Sequence, residues 1–261
     1  MEIQLETGKK LYFVSDSHLG IPTHSESLRR EKLLVEWLDF VKPTAAAIFL
    51  LGDIFEFWFE YKSVVPKGFV RLLGKLAEIT DSGVQVYFFT GNHDIWTFGY
   101  LENEVGLQVV RSVTEFSYSG KTFLIGHGDG LGPGDNAYKL AKKCYESPLL
   151  QRIFAWFHPV LGLWLASKFS KKDRYTNGSR KNYIVDPDND RIIVFCKDVL
   201  KTKKIDYFIF GHRHTPCDIV IGTNARYINT GDWINHFSFA SFDGTDAAIH
   251  KNFASSNLLS D

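Results

Sequence analysis

Ala-Ala-Ala-Ile-Phe-Leu-Leu-Gly-Asp-Ile-Phe-Glu, residues 45–56, decides the fold. The apolar run 45–51 suits a strand buried on both faces, as in a sheet covered by helices. Gly52 ends it and Asp53 follows at once. In α/β sheets the crevice beyond the carboxyl ends of the strands is where ligands bind. Outward from this stretch the same rhythm repeats. Residues 11–15 are a short apolar run that ends at Asp16, and residues 84–90 are another that ends at Gly91-Asn92. Between the runs, segments 25–41 and 69–79 space their apolar residues by three and four, the helical period. Lys42-Pro43 and Asp81-Ser82-Gly83 stop them. The order β-α-β-α-β predicts an α/β fold with parallel strands and helices on the faces.

The rhythm then changes. Residues 116–118 and 122–125 read as a hairpin turning at Ser119-Gly120, and its second strand runs into Gly126-His127. Residues 136–173 read as helical and basic, 191–202 as another face helix, and 207–210 as a strand that ends at Gly211-His212. From 219 to 253 the chain is short β-type runs broken by Gly222, Gly231 and Asp243-Gly244. The second half is therefore expected to hold more antiparallel strands.

Apolar runs thus end repeatedly in a metal-capable side chain: Asp16, Asp53, Asn92, His127 and His212. A lone Asp after a strand is more often a helix N-cap, and a lone His is more often packed or on the surface. The recurrence argues against both. His18 and His214 stand two residues beyond Asp16 and His212. In an extended segment such pairs point the same way, so each pair is expected to face one side. Carboxylate oxygen, an amide carbonyl and imidazole nitrogen suit Mn²⁺, Fe²⁺ or Zn²⁺, with Mn²⁺ the first expectation. One carboxylate shared by two ions is the arrangement used to hydrolyse phosphoesters, and Asp53 is the candidate for the shared position.

The whole chain sets bounds. At 261 residues it can bury a large core. Thirty basic residues balance thirty acidic ones, so charge points to no nucleic-acid partner. Cys144, Cys196 and Cys217 are odd in number and contain no CxxC, which reads as packed, reduced thiols in a cytoplasmic protein. The first residues carry acids and no apolar signal core, and no apolar run reaches the length of a membrane span.

Asp16-x-His18, Gly52-Asp53, Gly91-Asn92-His93-Asp94, His127 and Gly211-His212-x-His214 resemble, in this order, the motif set of the calcineurin-like metallophosphoesterases. The resemblance spans residues 11–215. It implies a single domain over residues 1–261, with two mixed β-sheets packed as a sandwich and flanked by helices. It implies one ion on Asp16, His18, Asp53 and His214, and another on Asp53, Asn92, His127 and His212. His93 would stabilise the phosphate in flight and protonate the leaving oxygen, with Glu56 or Asp94 orienting it. Residues 52–58, His127-Gly128-Asp129 with Asp135 and Tyr138, residues 211–216 and residues 229–233 resemble more narrowly the UDP-2,3-diacylglucosamine hydrolases of lipid A synthesis. That resemblance implies cleavage of UDP-2,3-diacylglucosamine to UMP and 2,3-diacylglucosamine 1-phosphate. His93 and Gly132 depart from it, since many of these enzymes carry Arg and Cys there.

Residues 136–186 read as a helical insertion acting as a cap. Between Lys139 and Arg174, eight basic residues face two acidic ones, interleaved with bulky apolar groups such as Phe154, Trp156, Phe157, Leu161 and Trp164. Such a block suits an anionic membrane surface and acyl chains, which places the protein at the inner face of the cytoplasmic membrane. The plainer alternative is a helical pair packed on the core with solvated charges. Asp135, Arg174 and Lys181 are candidates for contacts with sugar, phosphate or uridine. Asp232 reads as a turn residue outside the site. Two other functions stay open on the sequence: hydrolysis of a soluble nucleotide or other phosphodiester, and a scaffold of the same fold without turnover.

Overall fold

The computed structural model describes residues 1, 8–162 and 185–253. The first half runs β1 (Lys10–Val14), α1 (His24–Val41), β2 (Ala45–Leu50), α2 (Val70–Asp81), β3 (Gln85–Phe89), α3 (Tyr100–Asn103) and β4 (Gln108–Val110). β1 to β4 pair successively in parallel. The second half holds β5 (Thr114–Tyr118), β6 (Lys121–Gly126), α4 (Asn136–Glu146), α5 (Pro148–Ala155), α6 (Arg191–Leu200), β7 (Tyr207–Phe210), β8 (Cys217–Ile221), β9 (Ala225–Asn229), β10 (Phe239–Phe242) and β11 (Ala247–His250). A six-stranded sheet has the order β11-β10-β1-β2-β3-β4, and a five-stranded sheet has the order β5-β6-β7-β9-β8. Both are mixed, because β10 joins β1 antiparallel while β6, β7 and β9 pair in parallel.

The continuous apolar runs follow from two-sided burial. Side chains alternate across a strand. Leu11, Phe13, Ala47 and Phe49 enter the layer between the sheets, where they join Phe116, Phe123 and Ile209. Phe13, Phe49 and Tyr87 stack in sequence at 4.9 Å between ring centres. Tyr12, Val14, Ile48 and Leu50 face the opposite way, onto Leu34, Trp37 and Leu72 of α1 and α2. α6 covers the second sheet through Ile192, Ile193 and Cys196, packed on Phe208 and Phe210. Burying one such large apolar side chain contributes about 1.5–3 kcal/mol.

Local chemistry sets the helix starts. Thr23 accepts the Glu26 N–H at the head of α1, and Asp190 accepts those of Ile192 and Ile193 at the head of α6. α2 begins after Phe69, a left-handed residue with no capping side chain of its own. Glu31 of α1 supplies the acceptor instead, taking the N–H groups of Arg71 at 2.9 Å and Leu72 at 3.2 Å. Ser119 and Gly120 both have positive φ, 53° and 71°, as a two-residue hairpin turn requires.

Three features differ from the sequence expectation. β4 and α3 have no forerunner in it, being only three and four residues long. The block read as helical from 136 divides after Glu146 into two helices, since Pro148 cannot continue α4 and instead opens α5. Cys144 is exposed on α4, while Cys196 is buried and Cys217 partly so. The remainder of the insertion, with Trp164, Arg174 and Lys181, lies outside the described residues. Among the described residues no helix is long and apolar enough to cross a membrane.

Candidate metal centre

The loops that leave β1, β2, β3, β6 and β7 lace together. The Asp16 N–H donates to the Gly52 carbonyl at 3.1 Å, that of His18 to Asp53 at 2.9 Å, and that of Gly211 to His127 at 3.0 Å. Asp16, His18, Asp53, His212 and His214 all have positive φ, between 42° and 68°. This corrects the expectation of extended pairs at Asp16/His18 and His212/His214: the chain is left-handed there, His18 Nε2 lies 3.8 Å from Asp16 Oδ1, and His212 and His214 enter different groups. A left-handed non-glycine residue costs of order 1–3 kcal/mol, and such strain persists only where its surroundings over-determine it. Asp94 is one such support. Its carboxylate accepts the N–H groups of Gly91 at 2.8 Å, Asp53 at 3.2 Å, Ile54 at 2.8 Å and Phe55 at 3.3 Å. The loops also touch too closely for side chains. A Cβ on Gly91 would lie 2.2 Å from Asp53 Oδ1, and one on Gly211 would lie 2.5 Å from Ser15 Oγ.

The side chains converge in two groups that meet at Asp53. In the first, His214 Nε2 lies 3.4 Å from Asp16 Oδ1 and 3.3 Å from His18 Nε2. In the second, His127 Nε2 lies 3.3 Å from Asp53 Oδ2 and 3.2 Å from Asn92 Oδ1, and the His212 ring centre is 5.0 Å from that of His127. His18 Nε2 is 3.8 Å from the same Asp53 Oδ2. The opposite nitrogens of three rings are tied back. His18 Nδ1 bonds Glu56 Oε2 at 2.7 Å, His127 Nδ1 the Leu51 carbonyl at 2.8 Å, and His214 Nδ1 lies 3.3 Å from Asp232 Oδ2. In the neutral ring each Nδ1 therefore carries a proton toward an oxygen acceptor, which leaves the Nε2 lone pair to face inward. Asp16 Oδ1 is buried and receives no hydrogen bond. That orphaned oxygen, among inward-facing imidazoles, fits a divalent cation.

The profile of the calcineurin-like phosphoesterases matches residues 9–216. The chain belongs to the calcineurin-like phosphoesterase family. The phosphoesterase is 37% identical over 260 residues to the UDP-2,3-diacylglucosamine hydrolase of Porphyromonas gingivalis (strain ATCC BAA-308 / W83), covering 93% of this chain and 97% of that one. It is 27% identical over 207 residues to the protein of that name from Yersinia pseudotuberculosis serotype O:1b (strain IP 31758), covering 78% and 81%. An archaeal phosphodiesterase of known structure aligns with a TM-score of 0.47 at 12% identity, covering 93% of this chain and 99% of that one.

The phosphoesterase is electrostatically prepared for cations. Burial opposes charge on His127, but Asp53, with Asp16 and Asp129, raises the imidazole to about 10. Burial likewise opposes charge on His214, which Asp16 and Asp232 raise to about 9. His212 goes the other way, pushed down to about 3 by burial and by His127. Burial works against the Asp53 carboxylate, yet His127 and His93 hold it well below its ordinary value. Burial and the neighbouring Asp53 push Asp94 up to about 7, while the N–H donors pull against that.

His93 stands at the edge of the cage, its ring centre 4.8 Å from that of His18. Its Nδ1 donates to the Glu56 carbonyl at 3.0 Å, and its backbone N–H donates to Asp53 Oδ1 at 2.9 Å. Between the two candidates for orienting it, Glu56 holds the ring, through its main chain, while Asp94 bonds loop N–H groups. Asp135 lies exposed at the head of α4, its Oδ2 bonded to Arg191 at 2.7 Å. The roles of two carboxylates escaped the sequence reading. Asp232, read as a turn residue only, also reaches His214. Asp129 is buried and takes the Tyr138 hydroxyl and the Lys142 ammonium, each at 2.7 Å, tying α4 to the loop of His127. The Gly128-Asp129 pair directly after a metal-capable His was the available signal for Asp129; for Asp232 it was an acid after a late β-type run.

Proposed function

We propose that this phosphoesterase, with two divalent ions bound, hydrolyses the diphosphate of UDP-2,3-diacylglucosamine to UMP and 2,3-diacylglucosamine 1-phosphate. One observation carries the two-ion reading: a single oxygen, Asp53 Oδ2, lies 3.8 Å from His18 Nε2 and 3.3 Å from His127 Nε2. Asp16, His18, Asp53 and His214 hold one ion, and Asp53, Asn92, His127 and His212 the other. Mn²⁺ is our assignment, and Fe²⁺ and Zn²⁺ suit the same ligands. When bound, the two ions supply Lewis-acid neutralisation of phosphate charge and lower the pKa of water. Burial disfavours the His93 imidazolium, yet Asp53 and Glu56 raise its pKa above the ordinary value. His93 therefore keeps a proton for its work. In our reading, Nδ1 stays on the Glu56 carbonyl and Nε2 faces the phosphate. The bridging P–O bond breaks, the oxygen of water joins the attacked phosphorus and releases one proton to solvent, and the Nε2 proton passes to the departing oxygen.

The relative in Porphyromonas gingivalis supports the substrate, and so does the chemistry of the insertion. α4, α5 and the residues that follow them expose Leu140, Leu149, Ile153, Trp156 and Val160. Lys143 and Arg152 are exposed beside them. We assign residues 136–186 as a cap within a single domain: its apolar surface receives acyl chains, and its basic groups face an anionic membrane at the cytoplasmic side. Asp135, Arg174 and Lys181 are assigned to the sugar, diphosphate and uridine. The test is hydrolysis of UDP-2,3-diacylglucosamine by the purified protein with Mn²⁺, beside a soluble phosphodiester and a metal-free control. Release of UMP from the lipid, dependent on metal, is expected. Turnover of the soluble ester alone would overturn the substrate assignment and leave the two-ion chemistry standing.

A further inference from the structure

Asp232 is only 1% exposed, and its two oxygens do different work. Oδ1 accepts the N–H groups of Ile234 at 3.2 Å, Asn235 at 2.8 Å and His236 at 3.0 Å, and lies 3.2 Å from His236 Nδ1. That is a complete turn cap, so the turn needs only one oxygen. Oδ2 lies 3.3 Å from His214 Nδ1, with the Asn235 amide at 3.4 Å. The chain around Asp232 is built to aim it. Gly231 has φ 79°, and a Cβ there would lie 2.2 Å from Ser238 Oγ, so the backbone passes where no side chain fits. Ser15 Oγ contacts Thr230 Oγ1 at 2.7 Å and donates to the Gly231 carbonyl at 3.2 Å, while the Trp233 N–H donates to the Asp16 carbonyl at 3.2 Å. Residues 230–233 are thus fastened to the loop that carries Asp16, beside the group His214 enters.

We infer that Asp232 is a positioning residue that fixes the His214 ring with its proton on Nδ1, and so sets the affinity of the ion held by Asp16, His18 and His214. The inference rests on the two-ion reading above. A carboxylate in this place accepts the Nδ1 proton, keeps the Nε2 lone pair inward and makes the imidazole a better donor to metal. It gives His214 what Glu56 gives His18, by a route eighteen residues along the chain.

Asp232→Asn separates this role from turn capping. The amide oxygen can still accept the turn N–H groups. The NH₂ then faces Nδ1, and two donors oppose each other unless the proton moves to Nε2, where it blocks the metal. Mn²⁺ titration of the full-length, metal-stripped protein, followed by calorimetry and by the Mn²⁺ electron paramagnetic resonance signal, reads the effect. Two ions are expected in the wild type. In Asp232→Asn one of them is expected to weaken by about 10- to 100-fold while the other holds. Saturating Mn²⁺ then restores kcat. In an Asp232→Asn/His214→Gln double variant the loss is expected to match that of His214→Gln alone. Unchanged two-site binding in Asp232→Asn, or losses that add in the double variant, would overturn the inference alone. Fewer than two ions in the wild type would overturn the reading on which it rests. If Asp232→Asn does not fold, Asp232→Glu serves. It keeps the carboxylate and shifts its reach, and the same ion alone is expected to weaken; an equal loss at both ions would overturn the inference.

Discussion

The cage and the insertion spend their side chains in opposite ways. At the strand ends, charged groups are buried: Asp16 is 0% exposed, Asp53 2% and His127 3%. On α4 and α5 no residue is buried, and Trp156 is 92% exposed. One region hides polar groups and the other displays apolar ones. Each inversion of the usual distribution is costly unless a ligand uses it. Buried charge strengthens electrostatic attraction for a cation. Exposed apolar surface is available to a partner that is itself apolar. In our reading the contrast separates chemistry, which needs fixed geometry, from the proposed capture of a lipid, which needs surface.

Substitutions can break either half of that comparison. Asp53→Asn should have the largest effect. Turnover is expected to fall below detection and both ions to be lost from purified protein, as read by elemental analysis; full metal content with normal activity would remove Asp53 from the shared position. His93→Ala comes next. A loss of about 10²–10⁴-fold in kcat is expected with both ions retained, and metal loss would instead make His93 a ligand.

In the insertion the same logic gives a smaller effect on chemistry and a selective one on substrate. Leu149→Ser with Trp156→Ser should leave thermal unfolding almost unchanged, since exposed side chains change stability by about 0.5 kcal/mol or less. Against an acylated substrate each is expected to lose up to about 1.5–3 kcal/mol of apolar burial, read as a fall in kcat/KM of roughly ten-fold or more per residue. A deacylated analogue should lose nothing, and equal losses on both would count against an acyl-binding cap.

The smallest effect is a proton count. His127 at about 10 and His214 at about 9 carry protons at neutral pH in the metal-free protein. Metal binding needs neutral imidazole, so Mn²⁺ is expected to expel protons. Lower pH restores protons that compete with the ion. Apparent affinity should therefore rise as pH climbs from 7 toward these values. Calorimetry in buffers of different ionisation enthalpy measures the release, and a pH-independent affinity with no release would contradict the cation-site reading.

Much of this architecture was legible because it is local. Each proposed ligand sits in a short motif at the end of an apolar run, and β7 begins and ends where the run 207–210 does. The exposed face of α4 and α5 was legible for the same reason. Three things were not. β4 is Gln108-Val109-Val110, too short for any period, and it exists because β3 offers an edge. The left-handed turns at Asp16 and His212 answer to loops that meet in space, so spacing alone suggested an extended chain. Asp232 and Glu56 act on rings 18 and 38 residues away, contacts that no sequence window spans.

β1 lies between β2 and β10, and residues that follow β9 bond the Asp16 loop. Protein synthesis gives that arrangement an order in time. When the ribosome has released β9, every proposed ligand has emerged, yet β1 still has one open edge and Asp16 lacks the Trp233 bond. The edge closes only when Phe239–Phe242 leaves the exit tunnel and returns across more than 220 residues of chain to pair Phe13 with Ala240. β1 thus precedes every other strand of the described residues in the chain and is among the last completed. A nascent chain halted before residue 239 carries all the proposed ligands on a half-paired sheet, where it is exposed to pairing with other chains.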